Sequence, residues 1–350
     1  MVKMEKFAEF ITEEKDEPYN VLIIQNDTED DPAKTGFEIL KVAKNKGFSA
    51  STFELDGGYM ITNGKGKKTA FNYIKDAKKA AEKQNQGDYE KKGFPIDAEN
   101  TLIFVRAPIG NRRAWGDMCT QLERSGFCLI NTRHCHEVCA DKYYTSLFLA
   151  EAGLNQPKSV ILSHVGGSQK ALELLDLKFP LILKTQIGSF GIGVLFIESE
   201  RNLTASVQLL YKLDENIGLI LQEYIPTKYD VRVHVLHNEI IASIKRPVIE
   251  GDFRSNISQG SEPSLIKLTD IEKEDCIKAA MVVDGLWVGV DFIPAKDREK
   301  EHPYIIEVNS SPGTGQINET NNIDIINLVL DHYMDRSKWL KPKPFQSIYT

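Results

Sequence analysis

The sequence predicts an α/β protein built from more than one packed unit, and three observations lead there. Short apolar runs that read as buried strands alternate with amphipathic helical segments from Val21 onward. The chain has 350 residues, more than one small core organises, which suits two or three subdomains. A glycine-rich turn stands between two apolar strands rather than between a strand and a helix.

In order, residues 21–24 read as a buried strand, followed by an amphipathic helix through Phe37, Ile39, Leu40 and Val42 to Phe48. Residues 102–105 form another short strand, 115–124 a helix and 127–130 a strand. Between them lysines crowd residues 65–92, where Phe71, Ile74, Ala77 and Ala81 recur at helical spacing and predict an amphipathic helix. A solvated face is the plainer account of those lysines; a patch for an acidic partner or RNA is the alternative. A helix over 141–151, stopped near Gly153 and Pro157, leads to strand 159–162, helix 168–175 and strand 181–184. After the glycine turn come strand 194–197, helix 203–213 and strand 219–222. Strands 231–236 and 240–244 flank a turn-like interruption at His237, Asn238 and Glu239 and predict an antiparallel pair. Helix 270–284, strands 287–293 and 304–308, and helix 324–334 complete the layout. The expected division is an N-terminal α/β domain (1–133), a small central domain with the glycine loop (134–221) and a C-terminal antiparallel-sheet domain (222–350).

Composition excludes several classes. With 43 basic and 50 acidic residues the net charge is −7, so nucleic acid is not the expected partner, and positive charge must be concentrated locally if the ligand is anionic. No apolar run approaches the roughly 18 residues of a membrane span. The start, MVKMEKFAEF, has neither an apolar core nor a cleavage site. Five cysteines, an odd number, fit free thiols in a reducing compartment. A cytoplasmic protein is expected.

The sharpest chemical signal is FPLILKTQIGSFGIGVLFI, residues 179–197. A buried strand ends in Lys184, and a loop with Gly188, Ser189, Gly191 and Gly193 opens into a second strand. Glycines let backbone N–H groups approach phosphate oxygens, and Ser189 adds a hydroxyl donor. The loop is neither a Walker loop nor a dinucleotide fingerprint, so a glycine-rich hairpin over phosphates is the better picture. Taken alone it is a weak signal, since hairpins also use glycine simply to turn.

In DFIPAKDREKEHPYIIEVNSSPG, residues 291–313, two apolar strands carry Asp291, then Glu307 and Asn309. Glu307 and Asn309 are two apart and face one side of a strand. Two carboxylates and an amide suit magnesium, and Ser310, Ser311 and Gly313 form a turn whose backbone N–H groups suit an anion. Two surface carboxylates and a capping Asn are the plainer reading, but both acids sit in apolar runs where unpaired charge is costly. In IKRPVIEGDFRSNISQG, residues 244–260, Lys245, Arg246, Arg254 and Asn256 gather donors for phosphates or a carboxylate, or simply form a solvated loop. In LILQEYIPTKYDVRVHV, residues 219–235, a strand runs through Gln222, Glu223, Tyr224 and Ile225 and breaks at Pro226. Such an edge suits a purine, with Glu223 accepting from an exocyclic amine and Asp230 holding a ribose hydroxyl. The run His134-Cys135-His136-Glu137-Val138-Cys139 has zinc-like composition but lacks a second ligand pair at the usual spacing, so packing at a helix entry is preferred.

Together and in this order, QEYI, GDFRSN and EVNSSPG resemble the ATP-grasp superfamily, and within it the RimK-like branch, over roughly residues 108–333. The resemblance implies the ATP-grasp fold behind a pre-ATP-grasp α/β domain. By position, Lys142 matches the lysine that opens the central domain and touches nucleotide phosphates, and Lys184 its partner before the glycine loop. Gln222 through Ile225 resemble the adenine-binding hinge, with Asp230 near the ribose. Lys184, Arg254 and Asn256 would be catalytic, and Asp291, Glu307 and Asn309 would hold two magnesium ions, replaceable by manganese. Two departures stand out: Phe190 replaces a polar residue of the glycine loop, and the segment up to Glu99 is unlike the relatives.

The implied activity is ATP-dependent ligation of a carboxylate to an amine through an acyl phosphate, adding a glutamate-like amino acid to a peptide or protein. A homo-oligomer is compatible with the family. Two other readings are a small-molecule kinase on the same fold and a nucleotide-binding module without catalysis. The complete trio Asp291, Glu307 and Asn309 speaks against the last.

Overall fold

The computed structural model describes residues 19–25, 31–54, 58–61, 70–74, 91–95, 98–164, 166–188, 193–248 and 262–339. The chain begins with β1 (Asn20–Gln25), α1 (Asp31–Asn45) and β2 (Ser49–Glu54). It continues through β3 (Gly58–Ile61), β4 (Ala70–Ile74) and β5 (Lys91–Pro95) to β6 (Thr101–Arg106), α2 (Arg113–Arg124) and β7 (Cys128–Ile130). A parallel sheet has the order β2-β1-β6-β7. Strands β1, β6 and β7 are buried on both faces, as their unbroken apolar runs require, whereas the edge strand β2 leaves Ser49 and Ser51 exposed. Val21, Ile23, Leu102 and Phe104 pack with Ile39 and Ala43 of α1, whereas Leu22, Ile24, Ile103 and Val105 meet Trp115, Cys119 and Leu122 of α2.

One sequence expectation is overturned. Ala70–Ile74 is a strand, paired antiparallel on both sides with β3 and β5, so Phe71 and Ile74 do not lie on a helix. The aromatic-rich AFNYI favours extended backbone, and pairing on two sides outweighs the local spacing that suggested a helix. Ala77, Ala81 and most of the lysines of that stretch lie outside the described residues.

Next come α3 (Arg133–Ala140), α4 (Lys142–Glu151), β8 (Ser159–Leu162), α5 (Gly167–Leu175), β9 (Leu181–Thr185), β10 (Val194–Ile197), α6 (Glu200–Leu213) and β11 (Leu219–Glu223). The antiparallel sheet β10-β9-β11-β8 turns Leu181, Leu183, Leu219 and Leu221 toward Ala171 of α5 and Leu203 and Val207 of α6. Strand alternation therefore sends Lys184 and Gln222 to the opposite face.

The last part holds β12 (Tyr229–Leu236), β13 (Glu239–Pro247), β14 (Ser264–Leu265), α7 (Asp270–Val282), β15 (Trp287–Ile293), β16 (Tyr304–Asn309), α8 (Gly315–Asn321) and α9 (Ile325–His332). The sheet order is β14-β13-β12-β15-β16, all antiparallel, and the hairpin β12–β13 turns at His237 with φ 51°. Val231, Val233, Val288, Val290 and Phe292 pack on Cys276, Ala279 and Ala280 of α7, and Cys135, Val138, Leu149 and Leu154 from α3, α4 and the turn beyond join the same core. A capping box of Thr269 and Glu272 fixes the start of α7. On the other face, Leu236, Ala242, Ile244 and Trp287 join the core of the parallel sheet together with Ile325, Val329 and Leu330 of α9. The remaining end of that face is polar. Among the described residues no helix is long and apolar enough to cross a membrane.

Candidate active site

Strand β16 of the C-terminal sheet and the Lys184 face of the middle sheet border one cleft, and Glu307 of that strand acts electrostatically on Lys184 and Lys142. Lys142, Ser146, Ser159, Lys184, Ile220, Gln222, Ile305 and Ile306 are among the residues that line it. Lys184 is 7% exposed and donates to Gln222 Oε1 at 3.0 Å, while Gln222 Nε2 donates to Ser159 Oγ at 2.7 Å. Burial is the largest influence on Lys184 and pulls its ammonium down to about 8; Glu307 opposes the fall and Lys142 adds to it.

Lys142 stands at the first turn of α4. Asp141 caps that helix by accepting from the N–H groups of Tyr143 (2.9 Å) and Tyr144 (3.0 Å), and its second oxygen accepts from Gln186 Nε2 at 2.6 Å. The Lys142 N–H donates to the Gln186 carbonyl at 3.0 Å and its Nζ to the Gly188 carbonyl, so helix and loop base are tied together. Burial lowers the Lys142 pKa, against the pull of Glu307 and Asp141. Gly193 closes the far side of the loop at φ 79°, where an added Cβ would stand 2.8 Å from Thr185 Oγ1, so a side chain there would be strained and would force Thr185 to shift. Ser189 and Gly191 of the loop lie outside the described residues, as do Arg254 and Asn256.

The hinge segment starts inside the middle sheet and is not the edge expected from the sequence: Gln222 of β11 pairs with Ser159 of β8 and with Ile182 of β9, and the chain leaves the sheet after Glu223. The Glu223 N–H donates to the Lys158 carbonyl at 2.8 Å, and its carboxylate accepts from the Lys158 N–H at 3.2 Å. Tyr224 meets Phe196 edge to face at 5.1 Å, and Ile225 follows half-buried. Lys245 lies over the Tyr229 ring at 4.7 Å.

Asp291 and Glu307 are direct partners across β15 and β16, and Asn309 stands opposite Gly289. An irregularity in register after Asp291 lets Ile305 and Val308 both enter the core while Glu307 and Asn309 keep the open face. The arginine partners of Asp291 come from β12, beside β15, and from β13, one strand further. Arg232 donates to both its oxygens at 2.8 and 2.7 Å, and Arg246 Nη2 lies 3.0 Å from Oδ2 while also clasping Asp230. Burial pushes the Asp291 carboxyl up, but Arg232 and Arg246 outweigh it and hold it well below the usual carboxylate range. Glu307 is shifted the other way: burial and then the Asp291 charge raise it, only partly offset by Lys142, Arg232 and Lys184.

The turn after Asn309 has its three successive carbonyls engaged. Those of Ser310, Ser311 and Pro312 accept from Asn131 or Arg106. Its peptide bonds are trans, so the N–H groups of Ser311 and Gly313 point away from those donors. Arg232, Arg106 and Asn131 went unnoticed in the sequence; only Arg232, two residues after Asp230 on one strand, carried a periodic signal. His136, read as packing, places its Nδ1 3.0 Å from Ser310 Oγ.

An antiparallel lysine-bearing sheet facing a carboxylate-bearing one across a cleft is the arrangement of ATP-grasp proteins. The fold matches the structure of ATP-grasp ligase PsnB complexed with minimal precursor, with TM-score 0.64 and 14% identity over 91% of this chain and 99% of that one. It likewise matches D-alanine–D-alanine ligase from Bacillus anthracis complexed with ATP, with TM-score 0.61 and 15% identity over 92% and 98%. The RimK-like ATP-grasp domain model matches residues 139–332. A probable alpha-L-glutamate ligase of Coxiella burnetii is 30% identical over 223 residues, which are 63% of this chain and 72% of that protein. The chain belongs to the RimK-like ATP-grasp family and is a carboxylate–amine ligase.

Proposed function

We propose that the protein uses ATP and magnesium to join an amino acid such as glutamate to a peptide or protein through an acyl-phosphate intermediate. The observation that carries this reading is the pairing of Asp291 with Glu307, with Asn309 beside them, in electrostatic reach of the buried Lys184 and the half-buried Lys142. The residues fit a cation. Burial and the neighbouring Asp291 charge disfavour the Glu307 carboxylate beyond what Lys142, Arg232 and Lys184 offset, so a further positive charge there would be favourable, and Asn309 on the same face carries an amide oxygen. Asp291, Glu307 and Asn309 would hold the metal, which when bound would neutralise phosphate charge as it develops.

The rest of the work falls to the chain itself. Lys142 and Lys184 set two ammonium groups against the triphosphate, and the segment Gln222–Ile225, where the chain leaves β11, presents backbone to the base. The Ser311 and Gly313 N–H groups offer donors to the acyl oxygen as it gains charge. Arg254 and Asn256 are assigned to the same intermediate from sequence. The peptide part of the reading is supported by PsnB, whose structures include one with precursor peptide PsnA2 and AMPPNP, and the amino acid by the Coxiella relative, a probable alpha-L-glutamate ligase.

Phosphate release from Mg-ATP across the twenty amino acids, with and without peptides and ribosomal proteins, tests the proposal. Release coupled to one amino acid, with the matching mass increase on an acceptor, is expected. ATP-dependent phosphorylation of a hydroxyl compound, with no free phosphate, would replace it by the kinase reading.

Lys184 adds a pH dependence. Its lowered pKa means that the ammonium is present below about 8 and lost as pH rises through that value. The affinity for a non-hydrolysable ATP analogue is therefore expected to fall by up to about tenfold between pH 7.5 and 9, the limit for loss of one proton-linked charge. Lys184→Arg should flatten that profile in calorimetric titrations; an unchanged slope would remove Lys184 from phosphate binding.

A further inference from the structure

We propose that Arg106 and Asn131, at the ends of the parallel sheet, are positioning residues that set the geometry of the cation site on the C-terminal sheet. The inference rests on the reading of Asp291, Glu307 and Asn309 as metal ligands. Asn131 is 1% exposed, as is Arg106, so neither reaches a ligand in the cleft; their influence passes through backbone.

That backbone is the turn directly after Asn309. Asn131 Nδ2 donates to the Ser310 carbonyl at 2.6 Å, and Arg106 Nη2 donates to the carbonyls of Ser311 (3.3 Å) and Pro312 (2.9 Å). Asn131 also donates to the Trp287 carbonyl at 2.6 Å and accepts from the N–H groups of Leu286 (2.7 Å) and Trp287 (2.9 Å). A primary amide has two donor hydrogens and two acceptor lone pairs, and here all four are used. Gly289 opposite Asn309 puts Trp287 and Ser310 just beyond the last paired residues of β15 and β16. Asn131 thus supplies the missing rungs between the strand that carries Asp291 and the strand that carries Glu307 and Asn309. Two further bonds tie the same turn to the same side: Ser311 Oγ to the Val105 carbonyl at 3.3 Å, and the His136–Ser310 contact.

This amounts to a fixed frame. A cation tolerates little error in ligand spacing, and groups that orient ligands typically change metal affinity or activity by about 10- to 100-fold when altered. The frame also couples two sheets: whatever displaces the ends of β6 and β7 displaces Asn309.

The test uses the full-length protein with Mn2+ and ADP, following water-proton relaxation, which is enhanced when Mn2+ joins the protein and not when it binds ADP alone. Arg106→Lys keeps the charge but removes the planar guanidinium whose Nη2 donates to both carbonyls. Asn131→Asp keeps the shape and sets a carboxylate oxygen against two carbonyls. Each is expected to weaken Mn2+ binding by about 10- to 100-fold. Tyr19→Phe removes a buried bond of the N-terminal segment to the Leu330 carbonyl (3.3 Å), away from the turn, and should leave Mn2+ binding unchanged. If Asn131→Asp does not fold, Arg106→Lys decides. A folded Arg106→Lys protein that binds Mn2+ as the parent does would overturn the positioning role. Unchanged Mn2+ binding in a protein with both Glu307→Gln and Asn309→Ala would instead overturn the metal reading beneath it.

Discussion

With Glu307→Gln and Asn309→Ala combined, phosphate release at saturating ATP is expected to fall at least about a thousandfold, because a metal supplies several kcal/mol of charge stabilisation and each 1.36 kcal/mol is tenfold in rate. The fold should survive. Neither side chain belongs to the apolar core, which takes Ile305 and Val308 from the same strand, and Asn309 Nδ2 has no partner to lose among the described residues. Circular dichroism and a melting curve would check that point. Activity within about tenfold of the parent would remove the trio from catalysis, since tenfold corresponds to only 1.36 kcal/mol.

Asp291→Asn should behave differently, although it touches the same site. Asp291 answers two guanidinium groups, one of them 6% exposed. Removing the charge leaves the half-buried Arg232 without its carboxylate and the buried Arg246 with Asp230 alone, and breaking a buried pair costs about 3–5 kcal/mol. Urea unfolding of the ligand-free protein would show the loss. Glu307→Gln alone should leave stability unchanged or raise it, because its carboxylate is disfavoured where it sits. The pH dependence follows with opposite signs. The Asp291 contribution is present above the unfolded aspartate value of about 3.9 and disappears as pH falls toward its depressed folded value. For Glu307 the raised folded value favours the protonated form, so its contribution is full below about 4.3 and is lost as pH rises through the folded value. Equal losses for the two substitutions would contradict this electrostatic division of the site.

Much of this was legible in the chain. Strand alternation placed Glu307 and Asn309 on one face, and the run ILKT placed Lys184 opposite its apolar neighbours, because period-two patterns survive folding unchanged. What was not legible depends on partners distant in sequence. Nothing local in YDVRVHV shows that Arg232 meets Asp291, 59 residues on, because register between strands decides it. Asn131 and Arg106 end ordinary-looking strands, and their partners lie 155 to 206 residues away. The strand Ala70–Ile74 was misread because a few apolar residues at helical spacing carry little weight against pairing on two sides.

The apolar interior is divided unevenly, and this shapes how the molecule opens. Buried side chains of the parallel and C-terminal sheets interlock in one cluster, whereas those of β8 to β11, α5 and α6 form their own. Swinging the middle sheet away therefore separates few packed side chains, and its cost is low compared with unfolding either body. Amide exchange should report this as two populations. Protons facing the cleft, around Lys184 and Gln222, would exchange by a cheap sub-global opening that nucleotide suppresses. Those of β6 and β15 would wait for global unfolding whether or not nucleotide is bound.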